Sequence, residues 1–312
     1  MSSPILVTGG AGFAGGHVID LLARSGADVI AWHRPGGSPP RDGSAGARWE
    51  AVDLLDQGQV QAAIERARPS AVYHCAGAAH VGRAWDSTAP TFAANVRCTH
   101  HVLQAIERAG IGARVLVPSS ALVYASADEA LTEDHPLLPS SPYALSKLAQ
   151  EMLAVRTNGT LPVTIARPFN HFGPRQDPNF AASGFARRIA DIELGRWAPE
   201  ISVGNLEARR DLTDVRDTVR AYQMILERGQ PGRPYNICSG RAISIRELLD
   251  RLIARARVPV EVKVDPARYR PNDTPLLLGD PARLRDELGW TPEIPIERTL
   301  DDLLEYWRRR TP

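Results

Sequence analysis

The sequence predicts an α/β protein built on a doubly wound parallel sheet, with a smaller C-terminal lobe. Three observations carry that prediction. First, the apolar run Pro4-Ile5-Leu6-Val7 meets a glycine-rich turn from Thr8 to Gly16, and helical spacing follows from His17 to Ala23. Second, short apolar runs then alternate with helical stretches as far as residue 168, the rhythm that builds a parallel sheet from βα units. Third, the alternation becomes irregular from about Phe169, broken by Pro168, Pro174, Pro178 and Pro199. On this reading residues 1–168 form the sheet domain and 169–312 form mainly a substrate-facing lobe. The chain is expected to re-enter the first domain around 211–240.

Each element follows from its residues. A strand that ends in a glycine turn and opens a helix is the setting in which a pyrophosphate can rest on helix N-terminal amides. Gly9, Gly12 and Gly15 allow the tight turn and the close backbone approach, with Phe13 and Ala14 between them, so the first unit reads as a Rossmann-like dinucleotide site. The second strand, Asp28 to Trp32, runs into His33 and Arg34. At this point a carboxylate would hold ribose hydroxyls, whereas an arginine suits a 2′-phosphate. NADP is therefore favoured over NAD. A third strand is expected over Trp49 to Leu54, ending in Asp53 and Leu54 where an adenine would lie, with a helix from Gln59 to Arg66.

The next apolar run, Ala71 to Cys75, passes into the small residues Ala76, Gly77, Ala78 and Ala79, which let a flat cofactor approach the backbone. His74 within it reads as a core histidine. A long helix through Asn95 to Arg108 and a strand from Arg114 to Pro118 follow, and that strand delivers Ser119 and Ser120 to the same sheet edge. Pro139-Ser140-Ser141-Pro142 is a helix start, because hydroxyl caps and a first-turn proline favour one. The helix it opens carries Tyr143 and Lys147. Val163 to Arg167 reads as the next strand.

Composition narrows the function classes. The 312 residues include 37 basic and 36 acidic side chains, a formal net charge of +1, which gives no electrostatic footprint for nucleic acid or an anionic membrane. Cys75, Cys98 and Cys238 are odd in number and widely spaced, without the ligand spacing of a zinc site or a disulfide framework. No apolar run approaches the roughly 18 residues of a membrane helix. A cytoplasmic protein without a metal centre is expected.

Tyr143 and Lys147, four residues apart, share one helix face, so an ammonium can sit beneath a phenol. That arrangement is expected to lower the phenol pKa toward the working pH. Together with Thr8-Gly9-Gly10-Ala11-Gly12-Phe13-Ala14-Gly15 and Ser119-Ser120-Ala121-Leu122-Val123-Tyr124, the segment Tyr143-Ala144-Leu145-Ser146-Lys147 resembles the extended short-chain dehydrogenases/reductases of the nucleotide-sugar epimerase/dehydratase group. The resemblance spans essentially the whole chain. It implies that Ser120 hydrogen-bonds a sugar oxygen, that Tyr143 exchanges the proton, and that Lys147 binds the nicotinamide ribose. It also implies a homodimer formed through the helices after Asn95 and Tyr143.

The C-terminal half is similar to segments of GDP-mannose dehydratases and, more closely, of GDP-4-keto-6-deoxymannose reductases. Arg167 to Pro174 resembles the join between nicotinamide and sugar sites, which implies a cofactor contact for Arg167 and a diphosphate contact for Asn170. Val203 to Asp211 implies substrate contacts at Val203, Asn205 and Arg210, and Arg270 to Asp273 implies a second diphosphate contact through Arg270 and Asp273. A dehydratase of this group carries a Glu two residues after its catalytic Ser or Thr. Here that position is Leu122, which cannot exchange a proton, and only Glu129, Glu133 or another carboxylate could replace it. The expectation is an NAD(P)H-dependent reductase, NADPH favoured, acting on a GDP-linked 4-keto-6-deoxyhexose to give GDP-D-rhamnose. The alternatives are an NAD-dependent nucleotide-sugar 4-epimerase, suggested by Ala121 and Leu122, then a GDP-mannose 4,6-dehydratase, then a non-catalytic cofactor-binding subunit.

Overall fold

The computed structural model describes residues 3–40, 46–268 and 274–310. Its main sheet begins with β1 (Ile5–Thr8), β2 (Val29–His33), β3 (Ala47–Ala51), β4 (Ala71–His74), β5 (Arg114–Pro118) and β6 (Val163–Pro168). The smaller lobe supplies β7 (Asn170–Phe172), β8 (Glu200–Val203) and β9 (Arg209–Asp214), and then β10 (Pro234–Ile237) returns to the edge of the main sheet. After β10 come β11 (Ala242–Ser244), β12 (Glu261–Val264) and β13 (Leu276–Leu277). The seven-stranded sheet has the order β10-β6-β5-β4-β1-β2-β3, with every pair parallel. The chain winds outward from β1 in one direction, then jumps back to β4 and winds outward in the other. Such a switch point opens a crevice at the strands' carboxyl ends, here between β1 and β4.

Alternation along each strand explains why the sequence shows continuous apolar runs. Val7, Ala31, Tyr73, Leu116 and Ala166 face one core, shared with the helices Phe13–Arg24 and Val215–Arg228. Their neighbours Leu6, Ile30, Val72, Val115 and Ile165 face the opposite core, under the helices Gln57–Ala67 and Cys98–Arg108. Both faces are covered, so the strands are mostly apolar, and the buried polar residues Thr8, His74, Arg167 and Asn236 lie toward the carboxyl ends. A third core belongs to the lobe, where Ala186, Ile189, Leu249, Leu252, Leu300 and Leu303 join the helices Ala181–Glu193, Ile245–Ile253 and Ile296–Arg310. There β9 is paired with β7, β11 and β13, and β8 with β12.

Two boundaries differ from the sequence expectation. The third strand is Ala47–Ala51, so Asp53 and Leu54 lie beyond it in a turn, where Asp53 Oδ1 accepts from Leu55 N at 2.9 Å. The helix after it starts at Gln57, because Asp56 caps it by accepting from Gln59 N at 3.0 Å. The helix expected from Asn95 is continuous with Thr88–Phe92 but contains a π-turn at Ala93–Arg97 before the regular run Cys98–Arg108. Among the described residues no helix is long and apolar enough to cross a membrane.

One buried network ties the sheet to the helix Pro142–Arg156. Arg167, at the end of β6, donates from Nε and Nη2 to the Glu151 carboxylate at 3.1 and 2.5 Å, and from Nη1 to Tyr124 Oη at 2.8 Å and Glu133 O at 3.1 Å. Only 4% of the Arg167 side chain and 6% of the Glu151 side chain are exposed. Glu151→Ala would leave a buried guanidinium unpaired and should cost about 3–5 kcal/mol in urea unfolding. Pairing Glu151→Leu with Arg167→Met should cost much less.

Candidate active site

The crevice between β1 and β4 is shaped by glycine. Gly9 has φ +66°, and a Cβ there would stand 2.6 Å from Ala76 N; a Cβ on Gly15 would stand 2.3 Å from Gly9 O. Both positions accept only glycine, and the turn therefore lies directly against the end of β4. Gly12 precedes the helix Phe13–Arg24 without a side-chain cap, and the first turn holds no acid. The first backbone N–H groups and the positive end of the helix dipole are thus available to an anion. These features fit a dinucleotide pyrophosphate. Ala14 follows in the first turn, and the Phe13 ring stacks on His171 of β7 at 5.8 Å, which brings the turn against the first strand of the lobe.

The remaining cofactor candidates line the same edge. His33 closes β2 with Nδ1 bonded to Arg34 O at 3.0 Å, and Arg34 projects exposed just beyond. Asp53 and Leu54 are half-buried next to the adjacent strand, with Leu54 O bonded to His101 Nδ1 at 2.9 Å. Ala76 N donates to Thr8 Oγ1 at 3.3 Å, and Ala78 N donates to Asn95 Oδ1 at 2.8 Å. Arg167 departs from expectation. Its guanidinium is engaged by Glu151, Tyr124 and Glu133, so it braces the helix Pro142–Arg156 and has no free face for a cofactor.

Ser120 lies just past β5, where its hydroxyl accepts from Leu122 N at 3.2 Å and stands near enough to the Tyr143 phenol to oppose the rise in its pKa. Ser141 caps the tyrosine's helix by accepting from Ala144 N at 3.1 Å, with Pro142 in the first turn. This fixes Tyr143 opposite Ser120. Lys147, only 8% exposed, donates from Nζ to Pro118 O and to Gln150 Oε1, each at 2.5 Å. The expected lowering of the phenol pKa is not what the structure gives. Burial pushes Tyr143 up, opposed by the Ser120 hydroxyl, while burial also pulls Lys147 down to about 8. Desolvation thus shifts both groups toward their neutral forms, yet a lysine at about 8 remains mostly an ammonium at neutral pH.

Residues that sequence reasoning missed stand beneath this pair. Asn95, fully buried at the π-turn, donates to Ser146 Oγ at 2.8 Å and receives Ala78 N. A Cβ on Gly77 would lie 2.5 Å from Asn95 Oδ1, so this contact too requires glycine. The signal was present: an asparagine and Thr99 inside an otherwise apolar helix face are poor choices for helix stability alone. His74 is the core histidine expected, bonded to Thr8 and Thr99 at 2.8 Å each and lowered by burial to about 3.

On the lobe side, Asn170 is half-buried at the start of β7. Val203 is packed in the lobe core and offers only its backbone, while Asn205 Oδ1 accepts from Glu207 N at 2.9 Å. Arg210 Nη1 donates to Thr274 O at 2.7 Å. Its neighbours Asp211 and Asp214 are engaged elsewhere, by the backbone at Ser239 and Gly240 and by Arg216 and Thr299. Arg270 and Asp273 lie outside the described residues. A cleft of about 410 Å³ opens between Phe180, Arg188, Trp197 and Glu200, with the Arg188 guanidinium 3.8 Å above the Trp197 ring. A smaller one of about 210 Å³ lies among Leu122, Tyr124, Ser140 and Thr274, beside Ser120. Among the described residues no group of three His, Cys, Asp or Glu side chains could hold a metal ion.

Comparison with known proteins agrees with this geometry. The profile of the GDP-mannose 4,6 dehydratase family matches residues 6–303. The chain belongs to that family. Its members share the extended short-chain dehydrogenase/reductase architecture but not one reaction. The chain is 36% identical to a GDP-6-deoxy-D-mannose reductase of Pseudomonas aeruginosa, over 99% of each sequence. It is 26% identical to a GDP-mannose 4,6-dehydratase of Yersinia enterocolitica, over 81% of this chain and 76% of the other. Among solved structures, RMD from Pseudomonas aeruginosa complexed with NADPH superposes with a TM-score of 0.87 at 34% identity, covering 99% of this chain and 100% of that one. Within this family the Ser120–Tyr143 pair gives a direct test. Tyr143→Phe should lower kcat by about 10²–10⁴-fold, the usual contribution of a positioned proton donor, while fluorescence titration shows NADPH still bound.

Proposed function

We propose that this protein reduces the C4 keto group of GDP-4-keto-6-deoxy-D-mannose to the C4 hydroxyl of GDP-D-rhamnose. NADPH, when bound, supplies the hydride. Tyr143 gives its proton to the developing alkoxide, and the Ser120 hydroxyl hydrogen-bonds that same oxygen. The glycine turn from Gly9 to Gly15 would hold the pyrophosphate, Ala76 and Ala78 the face of the cofactor, and Lys147 the nicotinamide ribose. Asn170, Asn205 and Arg210 are assigned to the nucleotide sugar, with its base toward the cleft at Arg188 and Trp197.

The observation that carries this reading is Leu122. Elimination of water across C5 and C6 needs an acid near the sugar, and an aliphatic side chain stands there. The two carboxylates that could have replaced it are engaged. Glu133 is buried and accepts from Asn236 N at 2.8 Å, and Glu129 lies exposed beside His135. Reduction needs a neutral phenol that can donate, and burial, which raises the Tyr143 pKa, keeps it in that form. The full-length likeness to a GDP-6-deoxy-D-mannose reductase supports the same substrate.

The apolar stripe Leu145, Met152 and Val155, exposed on the outer face of the Tyr143 helix, is assigned to contact with a second copy. Sedimentation velocity should give the mass of two chains for the wild type and of one for Met152→Arg.

Absorbance at 340 nm should fall when the protein meets NADPH and GDP-4-keto-6-deoxy-D-mannose, with one GDP-D-rhamnose formed per NADPH. Interconversion of a nucleotide sugar at C4 with constant cofactor, or dehydration of GDP-mannose, would overturn the reading. Arg34→Ala should raise the KM for NADPH about 10–100-fold and leave that for NADH nearly unchanged, since a charged hydrogen bond contributes about 1.5–3 kcal/mol.

A further inference from the structure

Lys147 has a partner with no part in the reaction as written. Gln150, three residues further along the helix and 0% exposed, accepts from Lys147 Nζ through Oε1. A buried amide is tolerated only when its donors and acceptor find partners. Gln150 Nε2 donates to Thr99 Oγ1 at 2.7 Å. Thr99 Oγ1 gives its single proton to Asn95 O at 2.6 Å, so toward Gln150 and His74 it can only accept. His74 therefore carries its proton on Nε2 and donates to Thr99. Its Nδ1 accepts from Thr8 Oγ1, which in turn receives Ala76 N.

The direction of every bond in this chain is thus determined, and with it the orientation of the amide. Nε2 must face Thr99, and Oε1 must face the lysine. The chain begins at Thr8, the last residue of β1 before the glycine turn, and ends at the ammonium. Thr8, His74, Thr99 and Gln150 are all buried to 2% exposure or less.

We propose that Gln150 is a positioning residue: held by Thr99, His74 and Thr8, it fixes the Lys147 ammonium on the helix face it shares with Tyr143, using a neutral acceptor. Neutrality is the essential property. A carboxylate at this position would form an ion pair with Lys147 and cancel its field at the phenol, while an apolar side chain would leave the buried ammonium short of an acceptor. The other groups around Lys147 do not substitute for the amide. His74 and Cys75 come from the end of β4; burial keeps the first neutral and pushes the second up to about 12. Pro118 contributes a carbonyl from β5, and Glu151 is already paired with Arg167 from β6. Tyr143 lies on the same helix, and Tyr222, beside Cys75 and Tyr143, is a neutral phenol raised by burial.

The inference rests on the roles of Tyr143 and Lys147 in the proposed reaction, so its test includes a readout that needs no turnover. The pH dependence of Lys147 acetylation by trace acetic anhydride, quantified by mass spectrometry, reports the protonation of this one amine. Relative to the wild type, the midpoint should fall in Gln150→Met and rise in Gln150→Glu, each by about half a pH unit or more, roughly a threefold change in proton affinity. The high-pH limb of kcat at saturating NADPH should move in the same two directions. Midpoints that stay together, or that move with the same sign in both variants, would overturn the proposal. Should Gln150→Met not fold, Thr99→Val removes the anchor of the amide instead, and an unmoved midpoint there is equally fatal. Opposite shifts in labelling without NADPH oxidation would uphold the positioning role and remove the reductase reading.

Discussion

Two opposite charges placed where water cannot reach them hold the working part of this protein together. Arg167, near the end of β6, and Glu151, on the helix Pro142–Arg156, are charge partners shut away from water, and removing either would leave the other buried without a counter-charge. The pair binds a helix to a strand at a fixed height, which sets where Tyr143 stands above the sheet. The same guanidinium holds Tyr124, whose hydroxyl donates to Asn236 Oδ1 at 2.7 Å, and Asn236 Nδ2 donates to Leu131 O at 2.8 Å. The returning strand β10, the segment after Ser120 and the helix Pro142–Arg156 are therefore fixed in one polar core. Every other contact of the site is built upon that frame.

The sheet was legible because its constraints are local. Strands covered on both faces must be apolar along most of their length, glycine must occupy a turn that meets another backbone, and Ser141 with Pro142 favours a helix start. The placing of Ser120, Tyr143 and Lys147 at one sheet edge was legible for a related reason, since the spacing of Tyr143 and Lys147 and the small residues after β4 are short-range patterns. Arg167 was misread because its partners, Glu151, Tyr124 and Glu133, lie 16 to 43 residues away. No spacing rule connects them. Thr8, Asn95, Thr99 and Gln150 were missed likewise, being buried polar residues on three separate elements whose meeting depends on the closed fold. The boundary at Asp53 shifted because strand pairing ends where β2 ends, whatever the apolar pattern suggests.

The charge state of the site also depends on the fold. In water a lysine near a tyrosine would draw the phenol toward its ionised form. Here both are taken out of water, and desolvation shifts each toward its neutral form. The phenol therefore keeps its proton until a stronger base, such as an alkoxide, forms beside it. Leu122 complements this state, because it adds no second titratable group beside the sugar that could compete for that proton or supply another.

The π-turn at Ala93–Arg97 has a further implication for how this chain can vary. A helix advances about 100° with each residue, and the extra residue in a wide turn rotates everything beyond it by that amount. Asn95 and Thr99 face inward together, one toward Ala78 and Ser146, the other toward His74 and Gln150, only while that turn keeps its length. Side chains on the outer face of this segment can change freely. Its residue count cannot: losing a single position would restore an ordinary helix and swing the asparagine out of the site, so this stretch should drift in composition while staying constant in length.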